Sequence, residues 1–418
     1  MPSFPSLKAM SVPDWVLGFN TANWATVDMD FANGRYFGDT LANLLSCSRA
    51  STGYALKGGG DRGATLVSFG TNTLRITDHG LLVEEARTNL CVQSQDFITT
   101  WTDAGSGITA LANQATAPDG TLTADKLTVS GGGANIQSGT FTLATSTSYT
   151  VSAYFKVSAG DSTITFFGAG DGNNFLNAFT LIGAGSVGSS LTQGSATVIS
   201  ASIEALANGW YRCQVTGQIA AGGANARVII YPGAVSNAVF AWGAQAELGA
   251  FPTSYIPTTT ATVTRAEDVV TTLFTANTLP GWWVARFTPF ALTTTARILG
   301  ASGATSNAPM IMQWSGSDLR ADGAGDVPLI QVVSGNMAVT YENRACFTYD
   351  ADGLNFVIGL NSLWSDTEIN PGTVYTPPSV ITVGGKAADA PRMNGYFTRV
   401  AFGHTFLTSA QVQSLTTP

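Results

Sequence analysis

The chain is expected to be all-β, with two tandem β-sandwich (jelly-roll) domains following an irregular N-terminal region. Three observations lead there. Charged residues make up only 11% of the 418 residues, while hydrophobic residues make up 44%; soluble domains usually carry about 25% charge. That balance supplies cores but few of the charged faces that long helices need. Thr, Ser, Ala and 46 glycines fill the difference, and β-branched residues between turn formers favour strands. Beyond residue 88, short alternating segments recur between Gly, Pro, Asn and Asp signals, as sandwich strands do.

Residues 1–87 read as irregular, with a helical turn near 40–45, a glycine cluster at 58–60 and a short apolar strand at 66–69. A stretch this short builds no large core alone, so it is expected to pack on partner subunits or on the next domain. In 88–264, strands are expected at 124–129, 148–157, 162–167, 209–216, 226–231 and 238–247. SYTVSAYFKV at 148–157 alternates Tyr149, Val151, Ala153 and Phe155 against Thr150, Ser152, Tyr154 and Lys156. Pro118-Asp119-Gly120 and Asn208-Gly209 are turns. Pro252 and Pro257 cannot donate ladder hydrogen bonds, and the polar run 258–264 reads as an extended strap into a third segment, 265–418. There, Gly281–Pro289 alternates Trp283, Ala285 and Phe287 against Trp282, Val284 and Arg286, which leaves one of the two tryptophans open to exposure. Further strands are expected at 297–299, 309–313, 329–333, 345–349, 355–360, 380–383 and 395–404, with a hairpin turn at 350–353. The last element is a short helix over 408–415, with Thr408 or Ser409 as N-cap.

Several function classes are disfavoured. A net charge of −8 with 19 scattered Lys and Arg offers no basic patch for nucleic acid. Cys47, Cys91, Cys213 and Cys346 lie far apart and only His79 and His404 could supply imidazole, so no zinc site or other metal is expected. The cysteines read as buried small hydrophobes from a reducing compartment, with a Cys91–Cys213 disulfide as the alternative. Met1-Pro2-Ser3-Phe4-Pro5 is not a signal-peptide start, and no run of about 20 apolar residues spans a membrane. A product made in the bacterial cytoplasm and released by lysis with a particle fits that combination.

Three stretches carry a resemblance. FGTNTLRITDHGLLVEEARTNL at 69–90 resembles the segment leading into the sandwich of bacteriophage head-spike and tail-fibre proteins. Residues 101–264 resemble a carbohydrate-binding-module jelly roll, through Trp101, APDGTLTADKLT at 117–128, SYTVSAYFKV, NGWYRC at 208–213 and the closing AWGAQAELGAFPTSYIPT. ITVGGKAADAPRMNGYFTRVAFGHTFLTSAQVQSLT at 381–416 is similar to the ending of laminin-G and concanavalin-like sandwiches. The resemblance implies a virion spike or fibre of a tailed phage or gene transfer particle. Its N-terminal 1–87 would attach it to the particle, and its sandwiches at 88–264 and 265–418 would bind host capsule or lipopolysaccharide. Homo-oligomers and contacts with other virion proteins are implied too.

Catalytic signatures are missing from the sequence. Glucan-cutting enzymes on the concanavalin-like fold place two glutamates on one strand face in an E-x-D-x-x-E arrangement. Here Glu84 and Glu85 are adjacent, Glu342 stands alone, and Glu247, Glu267 and Asp268 sit in the strap, where backbone hydrogen bonds account for them. No GxSxG, HExxH or P-loop occurs, so neither enzyme activity nor a cofactor is expected. Sugar binding needs aromatic faces beside hydroxyl-reading polar groups. Trp15, Trp24 and Trp101 are assigned to packing, and at least one of each pair Trp210/Tyr211 and Trp242/Phe240 is expected to be buried. Trp314 and Trp364 fall in polar, loop-like surroundings with Asp318, Arg320, Asn361 and Asp366 close by, and these six are the candidate carbohydrate site. The alternatives are a purely structural spike or decoration subunit, and a polysaccharide depolymerase.

Overall fold

The computed structural model describes residues 25–418 apart from 59–63, 106, 162, 171, 275–279, 292–294, 302–311, 316–317, 323–327, 334–336, 340, 353–354, 369–379 and 386–391. The chain is nearly all antiparallel strand, as expected, and forms two compact units. A central unit comprises Ser48–Asp78 and Glu84–Asp268; a terminal unit gathers the chain up to Cys47, His79–Val83 and Val269–Pro418. Residues 1–87, expected to be one region, are therefore shared between the units. Strand pairing is the reason. Val27–Asp30 pairs with Gly395–Gly403 in the terminal unit, whereas the hairpin Gly53–Lys57/Thr65–Phe69 belongs to the central unit.

The central unit is a sandwich of two six-stranded sheets. The first runs Ile108–Ala115, Ala124–Val129, Ala238–Leu248, Tyr149–Ala159, Tyr211–Ile219, Ala196–Ala205 in spatial order. The second runs Ser186–Gln193, Asn173–Thr180, Thr163–Gly170, Arg227–Tyr231, Ile136–Gln137, Thr102–Asp103. Alternation along Tyr149–Ala159 sends Tyr149, Val151, Ala153 and Phe155 into the core between the sheets, where Phe155 meets Phe166 edge-on at 5.6 Å. The opposite face is buried too: Thr150, Ser152 and Tyr154 are each 1% exposed. Leu56, Ala64 and Leu66 from the hairpin region cover it, together with Trp210, Trp242 and Tyr255. Tyr255, in the strap, packs 4.5 Å from Trp242, so strap and hairpin together roof the first sheet. Trp101, Trp210 and Trp242 are packing residues; Trp15 and Trp24 lie outside the described residues. None of the four cysteines is in a disulfide, and Cys91 and Cys213 lie in this core with no bond between them.

The roof is tied down by a buried ion network. Arg49 donates to Asp268 at 2.7 Å, Arg75 donates to Glu84 at 2.6 Å and also to Asp268, and Arg265 lies 3.4 Å from Glu84. Glu84 further accepts the Ser254 backbone N–H at 2.7 Å and its hydroxyl at 2.6 Å, and Asp268 accepts the Glu84 N–H at 2.9 Å. Arg49 spends its remaining N–H groups on the carbonyls of Ser51, Phe69, Gly70 and Thr73. Charges taken this far from water are tolerable only when paired and fully hydrogen-bonded. Burial alone would raise the Glu84 carboxyl; Arg265, Arg75 and the Ser254 hydrogen bonds outweigh it and hold the group down at about 2. Burial also works against Arg75, and Glu84 and Asp268 more than reverse it. The strap acids expected to bond backbone do so elsewhere as well: Glu247 accepts the Thr253 N–H at 2.8 Å.

In the terminal unit one sheet runs Arg35–Phe37, Val27–Asp30, Gly395–Gly403, Gly281–Pro289, Asn343–Tyr349, Asn355–Leu360, Leu363–Glu368, and Gly80–Val83 also pairs with Gly395–Gly403. The facing sheet runs Pro328–Val333, Asp318–Asp322, Met312–Ser315, Thr295–Ala301, Ile381–Val383, Val269–Thr272, Leu45–Ser48. Both Trp282 and Trp283 are 0% exposed, against the expectation that one is open. Their strand is central and covered on both faces. Trp283 packs 4.6 Å from Phe402, while Trp282 lies among Leu407, Val412 and Leu415 of the C-terminal helix segment. That helix, Ser409–Thr416, starts where expected, with Thr408 and Gln411 forming a reciprocal capping box.

Three outcomes follow. Glu84 has a folded pKa of about 2 against an ordinary 4.5, so its stabilisation is complete above pH 4.5 and is lost as the pH falls towards 2. Chemical denaturation across that window is expected to show a loss on the order of 3 kcal/mol from this group. Glu84→Gln, which leaves Arg75 and Arg265 underpaired, is expected to cost about 3–5 kcal/mol at pH 7. Gly403→Ala would put a Cβ 2.3 Å from the Trp282 ring, and a loss of about 1–3 kcal/mol in the same assay is expected.

Candidate functional site

The six residues singled out in the sequence fall on both sheets of the terminal unit. Trp314 lies in the strand Met312–Ser315 and Asp318 and Arg320 in the neighbouring strand Asp318–Asp322, not in a loop. Trp314 is in register with Leu319, while Asp318 and Arg320 are opposite Ser315 and Gln313. Trp364 and Asp366 lie in Leu363–Glu368, at the edge of the sheet that contains Gly281–Pro289. The side chains of Trp314 and Asp366 are outside the described residues. Trp364 is 42% exposed. Asn361 is committed internally: it occupies the Asn361-Ser362 hairpin turn with φ 47°, accepts the Arg344 N–H at 2.8 Å and donates to Asn343 at 3.1 Å. A polar stretch with a tryptophan looked like a loop, but antiparallel pairing with Asp318–Asp322 and with Asn355–Leu360 keeps Trp314 and Trp364 in strand.

A groove with the inventory for sugar binding lies instead on the central unit. Its volume is 570 Å³, and it sits on the outer face of the second sheet. Period-two alternation builds it. Ile164, Phe166, Phe175 and Ile230 point into the core, so Thr163, Thr165, Asn174, Leu176 and Tyr231 point out. Thr165 stands directly opposite Tyr231. Leu176, Ile229 and Tyr231 form a small apolar floor on this face. Asn174 donates to the side-chain oxygen of Gln193 at 2.5 Å, fixing both amides at one end. Asp161 stands at the other end, its N–H held by Asn237 at 2.9 Å. The wall at Gly233 needs glycine. Its φ is +109°, and a Cβ there would lie 2.4 Å from the Asn237 amide and 2.9 Å from the Thr163 carbonyl.

This arrangement has the groups that sugar binding requires. An aromatic ring beside an aliphatic side chain offers a surface for the CH face of a pyranose, and a carboxylate, two amides and two hydroxyls around it can read ring hydroxyls. Most glycosidases use a pair of carboxyl groups, with tyrosine-nucleophile families among the exceptions; Asp161 is the one carboxylate among the described lining residues. Sequence inspection centred on tryptophans in loops and passed over these positions. The signal was present: NNFLNAFT alternates inward Phe175 and Phe179 with outward Asn174, Leu176, Ala178 and Thr180, and RVIIY ends on an outward tyrosine.

No family model matches the chain, and no curated protein matches it. Among solved structures, the carbohydrate-binding module CBM40 of a Ruminococcus gnavus IT-sialidase, bound to α2,3-sialyllactose, is 12% identical. It covers 34% of this chain and 85% of its own, with a TM-score of 0.29. Domain 4 of AbnA, an extracellular arabinanase from Geobacillus stearothermophilus in complex with arabinotriose, is 15% identical over 39% of this chain and 80% of its own, at TM-score 0.26. A Trypanosoma rangeli sialidase in complex with sialic acid is 9% identical over 70% of this chain and 60% of its own, at 0.27. At those scores none of the three bears on what the groove holds.

Proposed function

We propose that the chain is a non-enzymatic adhesion subunit that holds a cell-surface polysaccharide in the groove of its central unit. The observation that carries this is the Tyr231–Leu176 floor ringed by Asp161, Thr163, Thr165, Asn174 and Gln193. A shallow site of this kind grips a few sugar rings by stacking and hydroxyl contacts, and repeated copies in an oligomer raise the avidity. The stretch at 69–90, with its resemblance to phage spike and fibre proteins, supports placing that subunit on a phage-like particle as a homo-oligomer facing the host capsule or lipopolysaccharide. The single lining carboxylate supports retention of the polymer without cutting it.

The test is binding of the intact protein to immobilised capsule and lipopolysaccharide preparations. Tyr231→Ala is expected to weaken binding by about tenfold or more, the usual consequence of removing an aromatic anchor. Trp364→Ala, exposed on the terminal unit, is expected to bind as the unaltered protein does. No reducing ends should appear in the treated polysaccharide. Binding lost in Trp364→Ala and kept in Tyr231→Ala would move the site off the groove, and release of reducing ends would replace adhesion with depolymerisation.

A further inference from the structure

We propose that Arg286, Arg344 and Arg399 form an oxyanion-binding site on the terminal unit, suited to a phosphate, sulfate or carboxylate group. Arg286 stands directly opposite Arg344 on one neighbouring strand and directly opposite Arg399 on the other. Side chains so paired have Cβ atoms about 5 Å apart, and like charges there destabilise a sheet. The outer two arginines are compensated. Arg399 donates from Nε and Nη2 to the two carboxylate oxygens of Asp28 at 2.8 and 2.5 Å. Arg344 donates from Nε to Glu342 at 3.0 Å and from Nη1 to the Thr417 carbonyl at 2.5 Å.

The middle one is not compensated. Among the described residues, ion pairs reach Arg344 and Arg399 but none reaches Arg286, and its buried Nε has no hydrogen-bond partner. Burial lowers its pKa, and Arg344 and Arg399 lower it further, against a smaller opposite pull from Glu342 and Asp28. Arg286 shares its face with Trp282 and Val284, which the C-terminal helix covers. The row therefore lies beyond the end of that helix, where Arg344 meets Thr417, and the Arg344 side chain is 25% exposed there. Arg344 and Arg399 are ion-paired to Glu342 and Asp28, and Asp30, directly opposite Arg399, is bonded to Asn33, so Arg286 is the guanidinium of the row that no ion pair reaches among the described residues. A planar guanidinium fork matches two oxygens of one oxyanion. A sheet-pairing rule broken without compensation inside the chain marks a site kept for something outside it. The inference is independent of the groove, which belongs to the other unit.

The experiment titrates the full chain with inorganic phosphate at constant ionic strength, by calorimetry and by thermal shift. Oligogalacturonate and a neutral oligosaccharide of equal length are titrated in parallel. Saturable phosphate binding that raises the Tm is expected, and Arg286→Gln should weaken it about tenfold or more. In anion-free buffer the same variant should keep or raise its Tm, because it removes one of three crowded like charges. Arg286→Lys, which keeps the charge and loses the fork, should bind with intermediate affinity. Tighter binding of oligogalacturonate than of phosphate assigns the site to an acidic polymer; weaker binding assigns it to free phosphate. The proposal is overturned if neither anion binds saturably, if Arg286→Gln binds like the unaltered chain, or if that variant loses Tm while its anion affinity is unchanged.

Discussion

The central unit depends on the buried contact of Arg75 with Glu84 and Asp268. These residues come from three separate stretches of chain, and Arg49, Ser254 and Arg265 add others. Local propensity holds none of these stretches in place; the polar strap around Pro252 and Pro257 has little strand of its own. What fixes them is the requirement that each buried charge find its opposite. Once fixed, hairpin and strap roof the first sheet, with Tyr255 on Trp242 and Leu56 and Leu66 beside Tyr154. A sandwich roofed on one side has one sheet face left for a ligand, and the groove lies on that face.

The two arginine-rich places in the protein show how similar residues serve different ends. In the network, Arg49, Arg75 and Arg265 share two carboxylates that also accept backbone and hydroxyl donors, and they are sealed from water. In the row, each outer arginine has its own carboxylate, the middle one has none, and the surface is partly open. In the first arrangement each guanidinium reaches a carboxylate, although the Nε of Arg75 and of Arg265 lacks a hydrogen-bond partner. The second leaves an unbalanced cation at the edge of solvent, a condition that an external anion relieves.

Much of the fold was legible in the sequence because strands write their period into it. Gly281–Pro289, Asn355–Leu360 and Ala124–Val129 fall where alternation and turn residues placed them, and Thr408 caps the last helix. Alternation tells which residues share a face, not what covers that face. The exposure expected for one of Trp282 and Trp283 failed for that reason, since a helix from the far end of the chain lies on one side. The partition of residues 1–87 was also illegible, because Val27–Asp30 finds its partner at 395–403. The groove was missed on the same ground. Tyr231, Asn174 and Gln193 are distant in sequence and ordinary in type, and only sheet register brings them together. Trp364 carried a local signal of exposure and proves exposed, but Asn361 beside it is spent on its own turn.

The account turns on the outer face of the second sheet being where polysaccharide is held. Hydrogen–deuterium exchange of the intact protein, with and without capsular polysaccharide, addresses that directly. The account predicts slowed exchange confined to 161–176, 190–195 and 227–234, with the roof and the buried ion network unchanged. Protection gained at 343–368 instead, or at none of these segments while the polysaccharide is bound, would contradict it.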